Sequence, residues 1–342
     1  MAQSPRPGAP VTVAQVGMHA GVSRQTVAAV LATPNQVEPH VRDRVLASIE
    51  ALGYRPDRGG RTPNARSAGL VGYGMSARVA PTSIMSQFPR ALARAVEDVG
   101  RHMLLFTTPE DPENVDAFDE LLAQRAVDAF VLTDTVRDDP RHLWLTERNV
   151  PFVVFGRTWP TNGAQPGLWV DVDGAGACAR LVAGLHRIGH RRVGLVGLTV
   201  PTVAVLDRVA GWRAGCERHD LPSGDDLVVA ADADCPEAGE AAARALLDSA
   251  DPPTAIMAVS DTLAVGVLRE VRRRGGCPGE DIAVTGFDDS PAASVVEGGL
   301  TTVRQPLDQV AAALVELLGT GDRRRGVLLP GEVVSRGSAP IG

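Results

Sequence analysis

Between residues 12 and 53 the apolar positions recur at helical spacing with polar punctuation between them, which predicts three short helices. Thr12-Val13-Ala14-Gln15 has the form of a capping box: the threonine oxygen takes an orphan N–H and the glutamine reaches back. The first helix should run to about Ala20, where Gly21 stops it. Ser23 can cap a second helix from Arg24 to about Leu31, with Val27, Val30 and Leu31 facing inward. Pro39 suits a first helical turn, and Val41, Val45, Ile49 and Leu52 give a third helix an apolar stripe that Gly53 ends. Two helices a few residues apart, with a glycine between them, form a helix-turn-helix pattern. From Gly69 the pattern changes. Short apolar runs at 69–74, 102–107, 128–133, 151–155, 168–172, 193–197, 227–231, 255–259 and 282–286 alternate with helical stretches at 87–99, 113–125, 174–188, 236–249, 261–274 and 305–318. Strand–helix alternation of this kind builds parallel sheets with helices on both faces, and the set divides near residue 168 into two similar series.

A chain of 342 residues suggests about two domains. The charge is uneven. The first 66 residues carry eight Arg against four carboxylates, net +4, so with −7 overall the remaining 276 carry −11. A basic head on an acidic body points to a nucleic-acid contact confined to the head. Cys178, Cys216, Cys235 and Cys277 show neither a C-x-x-C pair nor a histidine at metal spacing, so four reduced, mostly buried thiols are expected. No run of 18 apolar residues occurs, and MAQSPRPGAP lacks the apolar core of a signal peptide. A cytoplasmic, nucleoid-associated chain without membrane contact is expected. Neither GLVGYG nor VGLVGL is a GxGxxG opening a helix with an acidic partner further on, and Walker, GxSxG and HExxH motifs are missing. No enzyme, cofactor or metal is therefore expected.

Val11-Thr12-Val13, Ala20-Gly21-Val22-Ser23-Arg24-Gln25-Thr26-Val27, Arg42-Asp43-Arg44-Val45 and Leu52-Gly53-Tyr54-Arg55-Pro56 together resemble the headpiece of LacI/GalR transcriptional regulators. The resemblance implies a headpiece over 11–56, after a disordered tail (1–10) and before a hinge linker (57–68). Arg24 and Gln25 would enter the major groove as base readers, because arginine suits guanine O6/N7 and glutamine suits adenine N6/N7. Thr12, Ser23, Thr26, Tyr54, Arg55, Arg58 and Arg61 complete the expected DNA contacts, the hydroxyls of Ser23 and Thr26 on phosphate. Where the family often has Ser-Arg, this chain has Ala28-Ala29, which removes a base contact and offers Ala29 to a thymine methyl. Ala32 replaces a usual polar residue.

The rest of the chain continues the resemblance: Val170-Asp171-Val172-Asp173-Gly174, Gly189-His190-Arg191-Arg192-Val193, Arg208 with Gly211-Trp212, Val259-Ser260-Asp261, Gly286-Phe287-Asp288-Asp289 and Thr301-Thr302-Val303-Arg304-Gln305-Pro306. It implies a periplasmic-binding-protein-like α/β body of two doubly wound parallel-sheet lobes. Lobe one would span about 69–168 and 307–332, lobe two about 169–306 and 333–342, with an effector between them. Ligands of open parallel sheets sit beyond the strands' carboxyl ends. On that ground and by the family alignment, Ser76, Phe88, Thr133, Arg157, Trp169, Arg208, Asp261 and Asp288 are the expected ligand contacts. Core packing is the alternative for Trp169, and an interlobe salt bridge for Arg157.

The expected function is a homodimeric, sequence-specific repressor on a pseudo-palindromic operator, controlled by a small carbohydrate. The alternatives are the same architecture sensing a nucleoside or purine, and an α/β enzyme with a trihelical appendage. At the hinge, Pro63 stands where the family inserts a leucine wedge, and Gly59-Gly60 replace alanine-rich sequence. Interior Gly and Pro disfavour helix by about 1 and 3 kcal/mol, so an extended or disordered linker is expected in the free protein. Electrophoretic measurement of operator bending tests whether Pro63 wedges a base step; an unbent operator means that the hinge has lost that role.

Overall fold

The computed structural model describes residues 11–52, 54, 69–76, 84–109, 111–159, 167–199, 202–320 and 325–342. The chain divides into two compact units, with the break between Ala68 and Gly69.

In the first unit, helices α1 (Val13–Ala20), α2 (Arg24–Ala32) and α3 (Pro39–Leu52) follow the predicted order. The capping box forms: Thr12 Oγ1 accepts from the Gln15 N–H at 3.3 Å, and Gln15 Oε1 accepts from the Thr12 N–H at 2.7 Å. Gly21 ends α1 at φ +65°, a conformation that a side chain would strain. Val16, Ala20, Val27, Val30 and Val45 form the core, and a fully buried valine contributes roughly 2 kcal/mol. Leu31, expected inward, is 36% exposed.

The second unit contains strands β1 (Leu70–Ser76), β2 (His102–Thr108), β3 (Ala129–Leu132), β4 (Phe152–Phe155), β5 (Leu168–Asp173), β6 (Val193–Leu198), β7 (Val228–Ala231), β8 (Ala255–Ala258), β9 (Ala283–Thr285), β10 (Thr302–Arg304), β11 (Arg325–Pro330) and β12 (Glu332–Val334). Its helices are α4 (Phe88–Asp98), α5 (Asp116–Ala123), α6 (Pro140–Glu147), α7 (Gly174–Arg187), α8 (Val203–Arg218), α9 (Pro236–Leu247), α10 (Asp261–Arg273), α11 (Pro291–Val295) and α12 (Leu307–Gly319). One parallel sheet has the order β11-β5-β4-β3-β1-β2 and the other β7-β6-β8-β9, while β10 and β12 pair antiparallel.

The lobe boundary expected at residue 168 needs correction. Strand β5 pairs with β4 and β11 in the first sheet, so the chain crosses to the second lobe after Asp173. The partner strand β11 lies more than 150 residues further along the chain; β5 itself ends in an aspartate that caps the next helix, where Asp173 Oδ1 accepts from the Gly176 N–H at 2.9 Å. The chain returns through α12, whose Val310, Ala311 and Leu314 enter the first lobe's core, then forms β11 and leaves again through β12.

The second lobe's core is centred on Trp212, whose Nε1–H donates to the Val193 carbonyl at 3.2 Å. Of the four cysteines, expected to be mostly buried, only Cys178 and Cys216 are; Cys235 is half-buried and Cys277 exposed. No described helix is long and apolar enough to cross a membrane. Helices α7 and α8 pack so closely that a Cβ on Gly211 would stand 2.2 Å from the Ala175 carbonyl oxygen. Backbone cannot yield there as a flexible side chain could. Gly211→Ala is therefore expected to destabilise the second unit by roughly 1–3 kcal/mol in urea titration; an unchanged midpoint would contradict this packing.

Candidate functional sites

At the head, Ser23 caps α2 by accepting from the Thr26 N–H at 3.0 Å, and its hydroxyl lies 2.9 Å from that of Thr26. This cap leaves Arg24 and Gln25 as the first two helical residues, both exposed. An exposed arginine and glutamine at a helix N-terminus can reach base edges in a major groove. Thr12 is exposed and engaged with Gln15, while Thr26, Ala29 and Tyr54 are half-buried. Arg55, Arg58, Arg61 and Pro63 lie outside the described residues.

In the second unit a cleft of about 640 Å3 opens between the lobes. Its walls follow the carboxyl ends of both sheets: Gly74, Thr108, Thr133 and Phe155 from one, Leu198, Asp232, Val259 and Phe287 from the other. Of the expected ligand residues, Thr133, Arg208 and Asp288 lie on the wall. Arg208 is buried: its Nη1 donates to the Val259 carbonyl at 2.6 Å, its Nη2 is 3.4 Å from Asp288 Oδ1, and its guanidinium lies 3.8 Å from the Phe287 ring centre.

Asp288 sits in a strained turn, with φ +117°, followed by Asp289 at φ +51°. The turn is held from several sides. Asp289 pairs with Arg304 at 2.7 Å and Arg336 at 2.6 Å, and Gln305 Nε2 donates to Asp288 Oδ1 at 2.7 Å. Burial, aided by the charges of Asp261 and Asp234, raises the Asp288 pKa to about 7 against the opposing charge of Arg208.

Four expectations are corrected. Asp261 does not line the cleft. It is buried and accepts from the Ser290 N–H at 2.6 Å and the Thr302 hydroxyl at 2.5 Å, so it fastens the turn that aims Asp288. Trp169 packs in the sheet against Gly326 of β11, where a Cβ would stand 2.0 Å from the indole. It lies two residues before Asp171, where β5 reaches the wall, and does not itself line the cleft. Phe88 is fully buried against Phe155 (4.9 Å) and Tyr73 (5.6 Å), backing the wall without reaching it. Arg157 also stands behind the wall: Nε donates to Asp171 Oδ2 at 2.7 Å and Nη2 to Asp207 Oδ2 at 3.1 Å. Asp171 belongs to the first lobe and Asp207 to α8 of the second, so Arg157 bridges the lobes. Ser76 is the last residue of β1.

Other wall residues were not singled out in the sequence. Asp134 and Thr135 follow β3, Asp232 and Asp234 follow β7, and Gln305 follows β10; the strand-end rule points to all of them. Asp171 and Asp207 gave no such signal, because what defines them is a shared partner 14 and 50 residues away from Arg157.

Residues 12–57 match the model for bacterial regulatory proteins of the lacI family, and residues 182–339 match a periplasmic binding protein-like domain. The HTH-type transcriptional regulator CelR of Thermobifida fusca is 31% identical over 310 residues, covering 90% of each chain. An uncharacterized HTH-type transcriptional regulator from the aml 5′ region of Streptomyces limosus is 33% identical, covering 98% of this chain and 97% of its own.

The chain belongs to the LacI family.

It is a DNA-binding transcriptional regulator, as its relatives are, and not an enzyme. The solved complex of the regulator CelR with cellobiose is similar at 29% identity and a TM-score of 0.72, over 96% of this chain and 100% of that one. The lac repressor dimer bound to operator and an anti-inducer shares the LacI fold at 23% identity and a TM-score of 0.82, over 96% and 99%.

Two outcomes follow from this LacI-family cleft. Arg157→Ala leaves Asp171 and Asp207 without their shared cation. It is expected to cost about 3 kcal/mol in thermal or urea unfolding, and a loss near zero would show that the bridge is not made in solution. The raised pKa of Asp288 means that the folded state holds its proton more tightly than the unfolded chain does. That stabilisation is complete below about pH 4 and is lost as pH rises through about 7. Melting temperature across this window should fall less steeply in Asp288→Asn; identical slopes would exclude the titration.

Proposed function

We propose that this LacI-family protein is a repressor whose operator affinity is set by a small carbohydrate bound between the lobes. It would act in the cytoplasm as a homodimer on a pseudo-palindromic operator. The chemistry of the cleft wall carries this reading. Carboxylates, Arg208, Gln305, Thr133, Thr135 and Ser260 line it, and such groups satisfy hydroxyls in pairs. Phe155 and Phe287 contribute the aromatic surface, and both are engaged: Arg208 covers Phe287, and Phe88 packs on Phe155. Little ring face is left to sandwich a purine, which weighs against a nucleobase effector. The cellobiose complex of a regulator 29% identical supports the same ligand class.

Control requires the ligand to bind one lobe arrangement better than the other. Adjacent residues of α8 meet that requirement. Arg208 faces the ligand, and Asp207 holds the Arg157 bridge to the first lobe and also accepts from the Ala175 N–H at 3.0 Å. A ligand that draws on Arg208 therefore loads the segment that ties the lobes.

Thermal-shift screening is expected to show stabilisation by sugars and none by purines; the reverse would replace the sugar with a nucleobase. Arg208→Ala should abolish the effector response and leave operator binding intact, and calorimetry showing normal ligand affinity would refute its role. Arg24→Ala and Gln25→Ala should each weaken specific operator binding by about 1–3 kcal/mol without altering ligand binding. Unchanged operator affinity in both would remove them as base readers.

A further inference from the structure

An anionic ligand needs a compensating cation, and among the described residues the cleft wall offers no uncommitted arginine. Arg141 and Arg208 are the arginines on its wall. Arg141 is committed to its own loop: Nε and Nη2 bind the two oxygens of Asp139 at 2.9 and 2.6 Å, and Nη2 also donates to the Thr133 carbonyl. Arg208 faces Asp288, and Arg157 behind the wall is shared by two carboxylates.

Three helix starts at the cleft, those of α7, α8 and α10, are capped as well. Asp207 and Asp173 accept the first N–H groups of α7, Thr202 caps α8 at 3.4 Å, and Ser260 caps α10 at 3.1 Å. Helix α9 opens with Pro236, which has no N–H to offer. Carboxylates, in contrast, are in surplus. Asp134 and Asp232 are exposed on the wall with no arginine within ion-pair distance, and Asp234 accepts only from the Ser260 hydroxyl at 2.5 Å.

Resting on the sugar reading above, we propose that the cleft selects by charge: it takes an uncharged or ammonium-bearing polyol and rejects phosphorylated and acidic sugars. The cleft acts as a set of acceptors. Hydroxyl and ammonium groups donate to it. A phosphate or carboxylate would meet Asp134, Asp232 and Asp234 with no uncommitted arginine among the described wall residues to compensate, and like charges placed together are strongly unfavourable.

The test is calorimetry on the full-length protein with matched sets: glucose, glucosamine, glucose 6-phosphate and gluconate; cellobiose and cellobionate; trehalose and trehalose 6-phosphate. In any set that binds, the phosphorylated or acidic member should bind at least about a hundredfold more weakly than its neutral parent. Glucosamine, where glucose binds, should bind at least as tightly, and any advantage should shrink as salt rises. The double variant Asp134→Asn, Asp232→Asn replaces each carboxylate with an amide of the same shape, so its melting temperature should hold while the gap between neutral and anionic members narrows. An anionic member that binds as well as its parent, or a gap unmoved by the double variant, overturns charge selection and leaves the sugar reading standing. No binding by any member of any set overturns the sugar reading, and this inference with it.

Discussion

The arrangement depends on two consecutive residues near the start of one helix. In α8, Asp207 turns toward Arg157 and the first turn of α7, and Arg208 turns toward the cleft and Asp288. A helix directs successive side chains about 100° apart, so neighbours in sequence serve different surfaces. One of these residues ties the two lobes and the other meets whatever lies between them. Neither can be displaced without disturbing the same turn of helix, which gives a ligand-induced change a direct path to lobe geometry.

The groups involved are charged and largely buried, and burial is costly to charges unless partners compensate. Among the described residues each arginine on or behind the cleft wall has a carboxylate partner, and in the strained 286–290 turn Gln305 holds Asp288 while Arg304 and Arg336 hold Asp289. Asp261 belongs to this second rank: it keeps Asp288 in a conformation that its backbone alone would avoid. Gly286 makes room for it, because a Cβ there would stand 2.3 Å from Asp261 Oδ1. Compensation on this scale leaves the cleft well determined in shape and poor in free cations. The Coulombic preference for non-anionic ligands arises from that shortage.

The trihelical head shows how far local signals reach. Thr12 with Gln15, Gly21, Ser23 and Pro39 are each sufficient to mark a boundary, because capping and left-handed turns are satisfied within four or five residues. The exposure of Arg24 and Gln25 follows from the same signals. Thr133, Arg208 and Asp288 were also legible, since they follow or face the ends of strands whose apolar runs are visible in the sequence. Trp169, Phe88 and Asp261 were misplaced for a common reason: being near a strand end or a helix start does not say which way a side chain faces, nor how deep it sits. Gly326, on a strand more than 150 residues later, opens the slot that takes the Trp169 indole.

By itself the sequence determined the helical head, the alternation of strands and helices, the two-domain division and the kind of residue at each strand end. These rest on periodicity, caps and turn residues, all short-range. Only the tertiary structure decided that β5 belongs to the first sheet, that Arg157 joins Asp171 to Asp207, and that Asp207 also closes the first turn of α7. Those are outcomes of long-range packing, in which a group's partner is chosen by where two distant segments come to rest.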